Sequence, residues 1–125
     1  STNRGTTIDP GGTVNTKGSW VELIASTGFP YKFLILLVCQ DPGWSSAGIT
    51  RRSFMIDVGI GASSSEKVLI PDIYWRQNEW GWVGSPHSIT WPVSIPVGTR
   101  ISVRCQSDES LANERELDVS ILGFG

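Results

Sequence analysis

The chain holds one histidine, His87, and two cysteines, Cys39 and Cys105, so acid–base or nucleophilic chemistry would have very few groups to draw on. A serine or cysteine nucleophile needs a base to take its proton. His87 lies between Pro86 and Ser88, in sequence that reads as an exposed loop, without the strand–turn–helix setting of a nucleophile elbow. Paired carboxylates could serve as acid and base on a sugar. Here Glu66, Glu79, Glu109, Glu114 and Glu116 fall in turns or on polar faces, where carboxylates are solvated. Asp108, Glu109 and Glu114 could approach a calcium ion, but their spacing matches no calcium loop. Neither cysteine belongs to a CxxC pair, and one histidine cannot complete a usual zinc site. Both sit in apolar, strand-like sequence (LLVCQD and SVRCQS) and are expected to be buried thiols acting as small hydrophobes. The expectation is a protein that is not an enzyme, with no catalytic residue, metal ligand or cofactor.

Tryptophan is where the sequence is unusual, with 6 in 125 residues. Most lie in turn-rich sequence. Trp44 follows Asp41-Pro42-Gly43, and Trp75, Trp80 and Trp82 surround Asn78 and Gly81. Indole offers a large flat apolar surface and one N–H donor, which suits sugar platforms and protein interfaces. Trp44, Tyr74, Trp75, Arg76, Asn78, Trp80 and Trp82 are therefore the candidate contact residues. Arg76 and Glu79 would supply the polar rim. The competing structural reading is that these rings plug the ends of the fold or pack beneath a long loop.

These residues need a scaffold, and the length is that of one ordinary domain. Formal net charge is −2, from 10 basic and 12 acidic residues, and the longest basic cluster is Arg51-Arg52. A nucleic-acid partner would call for a basic stripe, so none is expected. The longest apolar run, Phe33 to Cys39, is about a third of the length that spans a bilayer, and no membrane association is expected. The chain starts at Ser1 without a methionine or a signal peptide, as expected of a trimmed terminus or a piece of a longer protein.

Hydrophobicity alternates with a period of two. Phe54, Ile56, Val58 and Ile60 form one such series, Ile101, Val103 and Cys105 another, and Leu117, Val119 and Ile121 a third. Successive strand side chains point to opposite faces, so each series predicts a strand with one face on a core. Weaker patterns predict strands at 6–9, 19–26, 32–39, 67–74 and 88–95. The 33–39 run is apolar on both faces, as expected of a strand in the middle of the structure. Pro71 and Pro92 push their strands toward edges or bulges. Pro96-Val97-Gly98-Thr99 predicts a tight hairpin. Roughly eight strands with a turn signal about every ten residues predict an all-β, antiparallel β-sandwich of jelly-roll type. Residues 1–17, polar and rich in Thr, Gly and Asn, read as an extended arm ahead of a sandwich domain at 18–125. The stretch 74–91 reads as a long functional connection.

The segment WPVSIPVGTRISVRCQS, a polar loop and a final LDVSILGFG, together with GSWVELIAST earlier, resemble a module in virion surface proteins of tailed bacteriophages and gene-transfer-agent particles. The likeness runs loosely from Gly18 to Gly125. It is carried by Pro96, Gly98, Thr99 and Arg100, which shape a turn and identify no active site. It implies a β-sandwich that decorates a particle as a capsid cement, head-fibre or spike component. It also implies a homotrimer that contacts capsid or other virion proteins and is assembled in a bacterial cytoplasm. The arm would then reach a neighbouring subunit. The leading expectation is thus a non-enzymatic virion structural protein. The alternative is a carbohydrate-binding module that reads host surface glycans by stacking on tryptophan, with Asp72, Gln77 and Asn78 meeting sugar hydroxyls.

Overall fold

A computed structural model describes residues 5–40, 52–77, 87–108 and 117–125. Eight strands form: β1 (Thr6–Ile8), β2 (Val21–Ile24), β3 (Tyr31–Gln40), β4 (Arg52–Ile60), β5 (Lys67–Gln77), β6 (His87–Ile95), β7 (Ile101–Ser107) and β8 (Leu117–Phe124). All pairings are antiparallel, in two four-stranded sheets ordered β1-β8-β3-β6 (sheet I) and β2-β7-β4-β5 (sheet II). The pairs β1–β8, β2–β7, β3–β6 and β4–β5 are those of one long ribbon doubled back at the β4–β5 hairpin. Rolling that ribbon brings β8 beside β3 and β7 beside β4, which closes a jelly roll. The all-β jelly-roll sandwich read from the two-residue period is the fold observed.

The core lies between the sheets and takes the residues the alternation assigns to it. Leu34, Leu36 and Val38 from β3 and Leu117 and Val119 from β8 meet Phe54, Ile56 and Val58 from β4 and Ile101, Val103 and Cys105 from β7. Each large aliphatic or aromatic side chain so buried stabilises the fold by about 1.5–3 kcal/mol relative to exposure. Gly123 faces inward opposite Leu34, and the Tyr31 ring fills the space that a Cβ there would need.

Both prolines act as their chemistry requires, since proline removes a ladder donor. Pro92 is on β6, the edge of sheet I, and Pro71 is on β5, the edge of sheet II. At Pro71 and Asp72 the β4–β5 register jumps from Ile56↔Ile73 to Val58↔Ile70, and Asp72 takes φ 51°. That bulge turns the Asp72 N–H toward the Asp57 carboxylate.

Several expectations change. His87 is the first residue of β6, paired with Val38, and not a loop residue. Because β5 runs to Gln77 and β6 starts at His87, the long 74–91 connection shrinks to 78–86. The turn at Pro96–Thr99 is not a hairpin, because β6 and β7 belong to different sheets and the chain crosses between them. Gly98 takes φ 79°, as a turn of this kind favours. Thr27 ties the crossing: its N–H donates to Thr99 O (2.9 Å) and its hydroxyl to Pro96 O (2.8 Å). It accepts in turn from the N–H of Gly98 (2.8 Å, at O) and of Thr99 (3.0 Å, at Oγ1). Within the stretch read as an arm, Thr6–Ile8 forms β1 with Ile8 buried. Asn15 and Gly18 donate backbone N–H groups to Ser107 O and Cys105 O of the same domain.

Candidate functional site

The outward residues of the two sheets differ in kind, and the difference locates the candidate site. On sheet II the outer face is partly covered by the chain's own segment leading into β2, which leaves Met55, Val68 and Tyr74 exposed. Lys17 Nζ donates to Asp57 Oδ1 (2.7 Å) and Asp72 Oδ1 (2.8 Å), and Arg104 Nε donates to Asp57 Oδ2 (2.9 Å). Asp57 is only 3% exposed. Burial pushes its carboxyl toward the neutral form, but the Asp72 N–H (2.9 Å), Lys17 and Arg104 outweigh burial and hold it below the ordinary carboxylate value. The Trp20 ring lies over Gly59, where a Cβ would come within 2.6 Å of it, and the Arg104 guanidinium stacks 4.4 Å from the ring centre. Further along, Arg100 joins β2 to the β4–β5 hairpin through Glu22 (2.6 Å), Glu66 (2.8 Å) and Gly61 O (3.3 Å). These charges are used up within the domain.

Sheet I carries no such cover among the described residues. At one end its outward residues Asp118 and Cys39 are buried, with Thr7 donating to Asp118. Beyond them the outward positions form three rows across β8, β3 and β6: Phe124, Phe33 and Pro92; Leu122, Ile35 and Thr90; Ser120, Leu37 and Ser88. Phe33 is 49% exposed, Leu122 48% and Phe124 50%. Phe29, at 46%, lies outside these rows, stacked on the inward-facing Tyr31 with ring centres 5.0 Å apart. The nine row residues include no charged side chain. An apolar surface this continuous, with hydroxyls at one end, makes this face the candidate contact surface.

The residues expected to make contacts divide by strand parity. Tyr74 points outward from β5, 55% exposed, its hydroxyl 3.2 Å from Ser53 Oγ, and Arg76 is exposed on the same face. Trp75, expected on the surface, instead faces the core, its ring 5.5 Å from that of Phe54. The reason is the pleat: Trp75 shares parity with the buried Ile73. Trp44, Asn78, Trp80 and Trp82 lie outside the described residues, as do Glu79, Glu109 and Glu114. Asp72, considered a sugar partner, is in the ion pair with Lys17. Asp108 accepts from the Ser53 N–H at 2.8 Å.

His87 is exposed. Cys39 and Cys105 are buried thiols, and burial pushes the Cys105 thiol up to about 12, far from the thiolate a nucleophile requires. Among the described residues no cluster of His, Cys, Asp and Glu could hold a metal ion, and no helix is long and apolar enough to cross a membrane. The open face of sheet I went unread in the sequence, although its signal was there. The outward parity of β3 (Phe33, Ile35, Leu37) is as apolar as its inward parity, and β8 repeats this at Leu122 and Phe124.

No family model matches this chain, and neither does any curated protein. Among solved structures it is similar to the N-terminal CBM22-1–GH10 modules of endo-1,4-beta-D-xylanase 10B (Xyn10B) from Clostridium thermocellum, in complex with xylohexaose. Identity is 15%, the TM-score is 0.41, and the match covers 98% of this chain. The chain spans only 25% of that structure's length, and a likeness this distant bears on neither ligand nor activity.

Proposed function

We propose that this protein is a non-enzymatic structural component of a virion and works by covering part of its surface with another protein. The observation that carries the reading is the outer face of sheet I. There Phe33, Leu122 and Phe124 stand about half exposed in neighbouring rows without a charge among them. A jelly roll that keeps an apolar sheet face open behaves as a building block, because aqueous exposure of that face is unfavourable until a partner removes it from water. The turn residues Pro96, Gly98, Thr99 and Arg100, through which the chain resembles phage surface modules, are occupied in crossing between sheets and in ion pairing. They leave recognition to the sheet. The buried thiols fit assembly in a bacterial cytoplasm.

The carbohydrate-binding reading has one observation on its side, the exposed Tyr74 ring beside Arg76 on sheet II. It is the weaker one, since a sugar platform needs convergent hydroxyl partners and Asp72 already pairs with Lys17. Antibody against this chain, applied to particles banded by density from the organism that carries the sequence, tests the virion reading. Co-sedimentation with the particle in fixed proportion to its other proteins is expected. Recovery only in the free protein fraction would overturn it.

A further inference from the structure

We infer that the outer face of sheet I is self-complementary and that its occupant is a second copy of this chain, packed sheet on sheet about a two-fold axis. The inference rests on the assembly reading above and names the partner for that same face.

Three features point to a copy. The exposed rows are uncharged, and Asp118, the next outward position, is 2% exposed with its carboxylate accepting from the Thr7 hydroxyl, so two copies can meet across these rows without like-charge repulsion. Its profile is graded along the strands. Phe124, Phe33 and Pro92 make a bulky row, Leu122, Ile35 and Thr90 an intermediate one, and Ser120, Leu37 and Ser88 a shallow one. Turning one copy so that its strands run opposite to the other's places each bulky row on the partner's shallow row and the middle rows on each other. Large-on-small interdigitation of this kind fills the layer about 10 Å deep between stacked sheets.

The area is also of the right order. The half-exposed Phe33 and Phe124 supply roughly 100 Å² each, from about 200 Å² per aromatic side chain. With Leu122, the exposed Pro92, Thr90 and Ser88 and the partly covered Ile35 and Leu37, the face reaches about 500 Å² per protomer. Two copies would then bury about 1,000 Å², the size of weak, transient interfaces. The dimer should therefore be reversible and depend on concentration. An isologous two-fold contact closes at two subunits, whereas a trimer needs two different surfaces that meet head to tail.

Sedimentation velocity from about 1 to 300 μM tests this, with density-purified particles added in a second arm. The full chain should shift from 13.6 kDa to twice that mass. Leu122→Glu places two carboxylates near the axis and should weaken association at least a hundredfold, while its circular dichroism melt stays at that of the parent because the position is half exposed. Ile35→Cys, on the central strand next to the axis, should be joined to its counterpart by a short bifunctional maleimide, which can span stacked sheets about 10 Å apart, and Val97→Cys, in the exposed sheet-crossing turn, should not. A trimer, or a dimer untouched by Leu122→Glu, would overturn the inference. A monomer that still binds particles through Leu122 would overturn the self-pairing but keep the assembly reading. A monomer that binds neither itself nor particles would sink both.

Discussion

Replacing Asp57 by alanine removes the one group on which three elements converge. Its two carboxylate oxygens accept from Lys17 at 2.7 Å, from the Asp72 N–H in the β5 bulge at 2.9 Å and from Arg104 at 2.9 Å. Hydrogen bonds to a charged group are each worth about 1.5–3 kcal/mol, but they share one acceptor and do not add. Breaking a buried pair while its partners stay behind costs about 3–5 kcal/mol. Lys17 keeps the exposed Asp72, and Arg104 keeps its stack on Trp20, so the loss should lie at the lower end of that range, about 3 kcal/mol. For a domain of 125 residues this lowers Tm by about 10–15 °C. The folded Asp57 carboxyl titrates below its ordinary 3.8, so its contribution is whole above that value and disappears as pH falls through the lower, folded one. Calorimetry at pH 7 and through a series of pH values falling below 3.8 should show parent and Asp57→Ala far apart at the first and drawing steadily together along the series. Limited proteolysis should cut the variant first between residues 10 and 19. A Tm at pH 7 within about 2 °C of the parent, with the segment still protected, would refute the reasoning.

Three further outcomes follow from the same packing. Gly59→Ala should lower stability by about 2–3 kcal/mol and change Trp20 fluorescence, because the new methyl must displace the indole that lies 2.6 Å from it. Thr27→Val should cost about 1–3 kcal/mol in chemical denaturation, since the Thr99 N–H loses the hydroxyl that ties down the sheet crossing. Cys105 should resist iodoacetamide at pH 8 in the native protein and react only on unfolding, as a thiol pushed up to about 12 and buried is neither ionised nor reachable.

Local sequence carried the strands well and the longer-range arrangement poorly, for physical reasons. Alternation at Phe54–Ile60 and Ile101–Cys105 is a property of neighbouring residues, and those strands lie where it places them. Pro71 and Pro92 likewise declared their edges, because a missing N–H is tolerated only there or at a bulge. The turn after Ile95 has the same Pro and Gly chemistry whether its flanking strands pair or part. What decides it is Thr27, 69 residues before Pro96, and no local rule contains that contact. The segment around Lys17 looked free because its partner carboxylate is 40 residues away at Asp57. Trp75 and Tyr74 could have been told apart by parity alone, Trp75 following Ile73 inward and Tyr74 following Asp72 outward. Phe33 and Leu37 were legible as apolar on a central strand. Burial on both faces does not follow from that: on the second face Phe33 is half exposed, while Cys39 at the far end of the strand is buried.

Isotope-labelled methyl spectra recorded over a concentration series, and again with particles added, would show directly where this protein touches another. The signals of Ile35, Leu37 and Leu122 should move together, while those of Ile56, Val58 and Val103 in the core stay fixed. Movement confined to Met55 and Val68 on the opposite sheet, or none at any concentration, would contradict the account.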